Sequence, residues 1–282
     1  MYHAKNEGKN KASVFNEEMG LEQVRRLELE KDLRKALEHQ EFAIVYQTKW
    51  NSSTNQMVGM EALLRWNHPK LGTISPIEFI PIAEETGLIV PITHWVIEEV
   101  CKQNQLWHEQ NVAQVTVSVN MSVRVFENQT LFQVVKKSLD LSGLNPIFLE
   151  LEVTESIAMN DMENTISQLQ RIRELGVKVS LDDFGTGFSS LGNLDEMPID
   201  ILKIDKSFIR KSMHPSKQAI ISNIIMIAKS LNMEVVAEGV ETKEQIDFLT
   251  SRGCTIMQGF YYAKPVPPEE IAQQDRPLNQ NE

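Results

Sequence analysis

The stretch Val177–Leu191, Val-Lys-Val-Ser-Leu-Asp-Asp-Phe-Gly-Thr-Gly-Phe-Ser-Ser-Leu, decides the fold that we predict. Apolar and polar residues alternate at its start, as in a strand with one buried face. Asp182 and Asp183 close this strand, and glycines at 185 and 187 permit a tight turn. Adjacent carboxylates repel each other unless a proton or a cation neutralises them, and oxygen-only ligands suit Mg²⁺ or Mn²⁺. An isolated Asp-Asp-Phe-Gly is more often a solvated acidic turn than a metal site, so the rest of the chain must decide.

Composition and charge narrow the function classes. The 282 residues exceed the roughly 250 that one α/β barrel needs. The net charge of −11 disfavours binding to duplex DNA, and no apolar run approaches the ~20 residues of a membrane span. Cys101 and Cys254 lie far apart without metal-ligand spacing, which fits a reducing cytosol. We therefore predict a cytoplasmic segment without DNA binding or membrane insertion, although its parent protein could be membrane-attached through other segments.

The pattern divides the chain into four parts. Residues 1–16 form a short preceding segment, and the highly charged residues 17–40 form a linker helix with Leu29, Leu33 and Leu37 at helical spacing. This helix could lie on the main domain or pair with a second copy. Residues 41–274 are the main domain, and residues 275–282 are a C-terminal tail.

Short apolar strands alternate with amphipathic helices in the main domain. We predict strands at Phe42–Thr48, Met57–Arg65, Val115–Asn120, Phe148–Val153, Val177–Asp182, Asp200–Ile204, Glu234–Glu238 and Thr255–Gly259. We predict helices at Val90–Gln110, Thr130–Ser142, Met162–Leu175, Lys217–Leu231 and Lys243–Arg252. The link from 49 to 56 is too short for a crossover helix, so one of the first two strands must run antiparallel. The fold class is therefore α/β, a TIM-like (β/α)8 barrel with one irregular antiparallel strand.

Polar residues converge at the carboxyl ends of these strands, which is where such barrels carry their active sites. This rim cluster consists of Glu61, Asn120, Glu152, Asp182, Asp183, Lys203, Glu238 and Gln258. Five acidic groups in one mouth cannot all remain ionised without cations, and two divalent ions are the usual clamp for phosphoryl displacement. Lys203 could orient the attacking water, and Glu238 could accept a proton from that water. Arg65 could form a bidentate hydrogen bond with a phosphate.

Each residue also has a structural alternative. Asn120 could form hydrogen bonds within a loop, Lys203 could pair with Asp205, and Glu238 could belong to a structural network.

The sequence contains no P-loop, Rossmann or nucleophile-elbow signature, so other common phosphate and hydrolase chemistries are disfavoured.

The same segments carry a resemblance to a known family. They are Glu61-Ala62-Leu63-Leu64-Arg65-Trp66, Val119-Asn120-Met121-Ser122, Leu151-Glu152-Val153-Thr154-Glu155-Ser156, Asp182-Asp183-Phe184-Gly185-Thr186-Gly187, Leu202-Lys203-Ile204-Asp205, Ala237-Glu238-Gly239-Val240-Glu241 and Gln258-Gly259-Phe260. This ordered set, from about Phe42 to Ile271, resembles the EAL-domain family, bacterial phosphodiesterases that cut cyclic di-GMP to linear pGpG.

The resemblance implies a role for each matched residue. Glu61, Asn120, Glu152 and Asp182 would hold one Mg²⁺ or Mn²⁺ ion, and Asp182 with Asp183 would hold the second. Lys203 and Glu238 would be the water-orienting and base positions. Gln47, Arg65, Glu241 and Gln258 would lie near the substrate or its metals, and Glu155 would anchor the loop after Asp183. A homodimer is implied by the resemblance alone.

Two further features concern the edges of this match. Thr48 follows Tyr46-Gln47 at a position where the family usually has proline. The difference could alter substrate binding, but we expect Thr48→Pro to change turnover little. Residues 1–10, Met-Tyr-His-Ala-Lys-Asn-Glu-Gly-Lys-Asn, resemble the tail of a GGDEF domain, which would make 1–16 the end of a preceding domain.

Three functions remain open at this point. The first is a metal-dependent hydrolase of cyclic di-GMP. The second is a catalytically inactive receptor for the same ligand, which would be expected to lack several of the acidic ligands. The third is a purely structural barrel, which is disfavoured because burying many unpaired charges is costly.

Overall fold

Eight strands close into a barrel because the first strand pairs with both the second and the last. The computed structural model describes residues 17–127, 130–155, 161–185, 194–212 and 214–274, and side chains from residue 23 onward. The strands are β1 (Phe42–Asn51), β2 (Gln56–His68), β3 (Gly72–Ile74), β4 (Thr116–Asn120), β5 (Leu149–Thr154), β6 (Lys178–Phe184), β7 (Ile201–Ile204), β8 (Glu234–Glu238) and β9 (Ile256–Gln258). The helices are α1 (Glu17–Ala36), α2 (Pro76–Thr86), α3 (Ile89–Glu109), α4 (Val123–Glu127), α5 (Leu131–Ser142), α6 (Met162–Glu174), α7 (Lys206–Ile209), α8 (Pro215–Ser230) and α9 (Lys243–Ser251).

The pairing around the barrel confirms the predicted topology. Strands β2, β4, β5, β6, β7, β8 and β9 run parallel in that order, and β1 is antiparallel to both of its neighbours, β2 and β9. Strand β3 pairs with β2 outside the barrel. The antiparallel pair follows from the turn at 52–55, where the Asn51 Oδ1 accepts bonds from the backbone N–H groups of Ser53 and Thr54.

The strand patterns place apolar side chains between barrel and helices and polar side chains in the lumen. Val117, Leu151 and Leu202 are fully buried on the helix side. Helix α5 ends at the predicted residue and α9 ends one residue earlier; Gly143 and Gly253, which follow these ends, adopt the left-handed conformation that favours glycine. Strand β1 is three residues longer than predicted because its hairpin pairing continues to the turn, and β2 is four residues longer because it also pairs with β3. The elements β3, α2, α4 and α7 were not predicted.

The linker helix α1 lies on the barrel. Leu29, Leu33 and Ala36 are buried on its inner face, and Arg25 pairs with Glu78 of α2. This is one of the two arrangements predicted for the segment. The predicted GGDEF-like tail (1–16) and the C-terminal tail (275–282) lie outside the described residues. Among the helices that the structure describes, none combines the length and the apolar character needed to cross a membrane.

Candidate active site

Lys203 of β7 lies at the centre of the predicted site. Its Nζ is 2.6 Å from Glu152 Oε2, 2.5 Å from Glu238 Oε1 and 3.4 Å from Asp182 Oδ1, and its side chain is completely buried. The alternative in which Lys203 pairs with Asp205 is not what the structure has, since Asp205 caps α7 instead. Three carboxylates from three strands therefore converge on one ammonium group.

Amide groups hold the carboxylate of Glu61. Asn120 donates from Nδ2 to Glu61 Oε1 at 2.7 Å, and Gln258 donates from Nε2 to Glu61 Oε2 at 2.6 Å. Gln258 also donates to Gln47 Oε1 at 3.0 Å, which links β9, β1 and β2 across the rim. The buried Oε1 of Gln258 has no hydrogen-bond partner within the described ranges. These amides orient Glu61 without neutralising it, and burial together with the charge of Glu152 raises its pKa.

A bulge in β6 separates the two adjacent aspartates. The register with β7 shifts between Leu181 and Phe184, and Asp183 adopts a positive φ of 56°. Asp182 is 8% exposed and its Oδ1 accepts the backbone N–H of Asp183 at 2.9 Å, whereas the Asp183 side chain is exposed. Bulges commonly re-aim side chains beside active sites. Because of this bulge, the carboxylate of Asp182 faces the lumen and that of Asp183 lies at the mouth.

The lumen contains more negative charge than its two lysines neutralise. Burial raises the pKa of Glu238 to about 8, and burial with the charge of Glu152 raises that of Asp182. Burial opposes ionisation of Glu152 as well, but Lys203 and Lys49 outweigh it and lower its pKa to about 2. Five carboxylates belong to the lumen and Asp183 lies at its mouth, so that these six groups together exceed the two lysines by four charges; the lumen carboxylates are Glu61, Glu150, Glu152, Asp182 and Glu238.

A lower cluster beneath the rim cluster was missed by the sequence analysis. It consists of Lys49, Ser118 and Glu150, all buried. The Nζ of Lys49 donates to Ser118 Oγ at 2.9 Å, to Glu150 Oε1 at 3.2 Å and to Glu152 Oε1 at 3.0 Å. Alternation from Gln47 would have placed Lys49 in the lumen, but the predicted first strand stopped one residue short of it.

The remaining predicted residues surround this centre. The Nη1 of Arg65 donates to the Leu64 carbonyl at 2.9 Å, and burial lowers the pKa of Arg65 while Glu61 opposes that effect. Glu241 follows β8, and its N–H is held by Gln245 Oε1 at 2.7 Å as part of the N-terminal cap of α9. Glu155 follows β5 directly, but residues 186–193, the loop it would anchor, lie outside the described residues.

Thr48 has a structural contact of its own. Its Oγ1 accepts the indole N–H of Trp50 at 2.7 Å, and both residues are buried. The departure from the family's proline is therefore accompanied by a partner for a buried tryptophan.

The donor set of the rim cluster fits hard divalent cations. Within the described ranges, no three Asp, Glu, His or Cys side chains are arranged to hold a metal ion. The available donors are nevertheless carboxylate and amide oxygens, which Mg²⁺ and Mn²⁺ prefer. The uncompensated negative charge and the unpaired Oε1 of Gln258 both match a bound cation. We conclude that the residues fit divalent ions.

Comparisons with known proteins agree on one family. Residues 30–265 match the family model described as the EAL domain. The chain is 43% identical over 272 residues to the bifunctional diguanylate cyclase/cyclic di-GMP phosphodiesterase MucR of Pseudomonas aeruginosa, covering 96% of this chain and 40% of that protein. It is 40% identical over 270 residues to the cyclic di-GMP phosphodiesterase PdeR of Escherichia coli, covering 95% of this chain and 40% of the relative. The chain thus spans about two fifths of each of these two relatives.

A solved structure supports the same relationship. The structure described as the PaMucR phosphodiesterase in complex with c-di-GMP superposes with a TM-score of 0.83 at 44% identity, covering 86% of this chain and 99% of that one.

Proposed function

This chain belongs to the EAL-domain family, and from that membership we propose that it is a metal-dependent phosphodiesterase that hydrolyses cyclic di-GMP to linear pGpG. The observation that carries the proposal is the convergence of Glu152, Asp182 and Glu238 on the buried Lys203. A structural barrel has no need of so many excess carboxylates. The relatives named as cyclic di-GMP phosphodiesterases support the choice of substrate.

Two divalent ions would be held by oxygen donors of the rim cluster. Glu61, Asn120, Glu152 and Asp182 would hold one ion, and Asp182 with Asp183 would hold the other. The chemistry that bound Mg²⁺ or Mn²⁺ supplies is a lowered pKa of water and compensation of charge on the phosphate oxygens.

Lys203 and Glu238 would manage the attacking water. Glu238 has a pKa of about 8 in the metal-free protein, close to the value that suits a base at neutral pH. Lys203 lies 2.5 Å from Glu238 and can orient the same water. As the water oxygen bonds to phosphorus, Glu238 takes its proton and one P–O bond to ribose breaks. The departing ribose oxygen takes a proton from solvent, Glu238 releases the proton that it accepted to solvent, and the ring opens to the linear dinucleotide.

The other predicted residues would act on the substrate. Arg65 is half-buried and Glu241 is exposed, while Gln47 and Gln258 are buried and are joined to Glu61 through the amide of Gln258. Glu155 would anchor the loop after β6, and the homodimer stays a prediction.

A product assay tests the proposal. The protein is incubated with cyclic di-GMP and Mg²⁺ or Mn²⁺, and the products are resolved by chromatography. We expect pGpG from the parent and from Glu109→Ala, which removes an exposed glutamate at the end of α3, and none from Glu61→Ala. Absence of pGpG with every metal, in protein shown to be folded, would contradict the proposal. Tight ligand binding by calorimetry in that case would support the receptor instead.

A further inference from the structure

Lys49 is a buried, charged residue that has no role in the reaction proposed for the rim cluster. It is 3% exposed and lies in β1, where it pairs with Gly59 of β2. Burial opposes its charge, but Glu150 and Glu152 outweigh this effect and raise its pKa, so the lysine is ionised. A buried ammonium needs bonded partners, and Lys49 has them in the lower cluster and in Glu152.

Glu152 is held at both oxygens by two different lysines. Lys49 donates to Oε1 at 3.0 Å, and Lys203 donates to Oε2 at 2.6 Å. Because the bonds come from β1 and β7, rotation of the carboxylate would break at least one of them. Lys203 is shared with Glu238 and Asp182, whereas the other partners of Lys49 lie below the rim cluster. Lys49 is therefore the contact that ties Glu152 to the barrel interior.

The barrel wall leaves room for the lysine stem. A Cβ added at Gly59 would lie 3.4 Å from Lys49 Cδ and 3.3 Å from the Thr116 carbonyl oxygen. The β1–β2 register also shifts between Lys49 and Trp50. Gly59, which has no side chain, thus lies directly opposite Lys49 and leaves space for its long aliphatic stem.

We propose that Lys49 is a positioning residue that fixes the carboxylate of Glu152 from below through Oε1, so that Oε2, which also accepts from Lys203, faces the rim where a divalent cation would bind. The inference rests on the proposed function, because Glu152 is one of the proposed metal ligands. Outer contacts of this kind typically change metal affinity or activity 10- to 100-fold when they are removed.

The test separates position from charge. Lys49→Met alone makes the lumen more negative and Glu150→Gln alone makes it less negative, but the double variant Lys49→Met/Glu150→Gln keeps the net charge of the parent. Mn²⁺ binding is measured by calorimetry without substrate, and folding is checked by thermal unfolding. If Lys49 positions Glu152, the double variant should bind Mn²⁺ about tenfold or more weakly. Its half-maximal turnover should need correspondingly more Mn²⁺.

The opposite results are equally clear. If Lys49 acts only through its charge, Lys49→Met should bind Mn²⁺ more tightly and the double variant should match the parent. Parent-like affinity of the folded double variant would overturn the inference. If that variant does not fold, Lys49→Gln/Glu150→Gln replaces it with the same expectation. Failure of both to fold while Glu150→Gln folds would show a folding role only and would also overturn it.

The two proposals fail separately. Weak Mn²⁺ binding by the double variant, together with a parent that makes no pGpG, would retain the positioning role and reject the hydrolase.

Discussion

Replacing Lys203 by methionine should destabilise the metal-free protein by about 3 kcal/mol at neutral pH. The change keeps the size of the side chain and removes the ammonium group that Glu152, Glu238 and Asp182 share. An ordinary glutamate has a pKa of 4.5, and the lysines lower that of the buried Glu152 to about 2. Since each tenfold change in proton affinity is worth about 1.4 kcal/mol, this depression, to which Lys203 contributes most and Lys49 also contributes, corresponds to about 3 kcal/mol in total. Removing one partner of a buried ion pair lowers the free energy of unfolding by a similar amount, about 3–5 kcal/mol.

The pH dependence of this loss has a definite sign. A depressed carboxylate pKa stabilises the folded state above the unfolded pKa, and this contribution disappears as the pH falls through the folded value of about 2. The difference in unfolding free energy between parent and Lys203→Met should therefore be retained from pH 7 to about 5 and narrow as the pH falls from 4.5 towards 2, where Glu152 becomes protonated. Urea unfolding of EDTA-treated protein at several pH values measures this difference.

The matched control is Lys102→Met. Lys102 also contacts two glutamates, Glu98 at 3.1 Å and Glu99 at 2.9 Å, but its side chain is 51% exposed. Exposed pairs contribute about 0–1 kcal/mol, so this variant should lose little. Equal losses in Lys102→Met and Lys203→Met would refute the argument that burial makes the Lys203 network energetically important. With metal present, Lys203→Met should also reduce turnover about 100-fold or more.

Three other changes test the rim cluster, β1 and the linker helix. Glu61→Gln keeps the side-chain size but presents an NH₂ group to amides that already donate, so the Mn²⁺ needed for half-maximal turnover should rise about tenfold or more. Thr48→Pro should change the turnover of folded protein little, but it should lower the unfolding free energy by about 1–3 kcal/mol because the indole of Trp50 loses its acceptor. Unaltered stability in urea would show that this bond contributes nothing. Leu33→Ala should cost about 2–5 kcal/mol, whereas Leu27→Ala, on the exposed face of the same helix, should stay within about 0.5 kcal/mol. Equal effects of the two would mean that the helix does not pack on the barrel as described.

The barrel could be predicted from the sequence because each strand combines a period of two with a polar residue near its end. Asn120, Glu152 and Glu238 each follow apolar residues whose side chains face the helices, so their own side chains had to face the lumen. The short hairpin link predicted the antiparallel strand in the same way. These inferences need only local spacing, which a single sequence contains.

Contacts between distant strands could not be predicted in this way. Periodicity placed Lys203 in the lumen, but the stagger of β5 against β7 decides that it meets Glu152 and not Asp205. Lys49 was missed because its strand looked complete at Thr48, and only the observed hairpin register extends β1 far enough. A charged residue at a strand end is usually solvent-exposed, so composition gave no reason to continue the strand.

The charge balance of the lumen favours two ions over one. The five lumen carboxylates and Asp183 at the mouth together exceed Lys49 and Lys203 by four charges, and two divalent cations carry that charge with opposite sign. A single ion would leave two carboxylates to be neutralised by protons, and the raised pKa of Glu238 indicates which group would take one. A protonated Glu238 could not accept a proton from water. In the proposed function, the base role of Glu238 and the occupancy of two metal positions would therefore be linked, because a second ion would leave this carboxylate ionised.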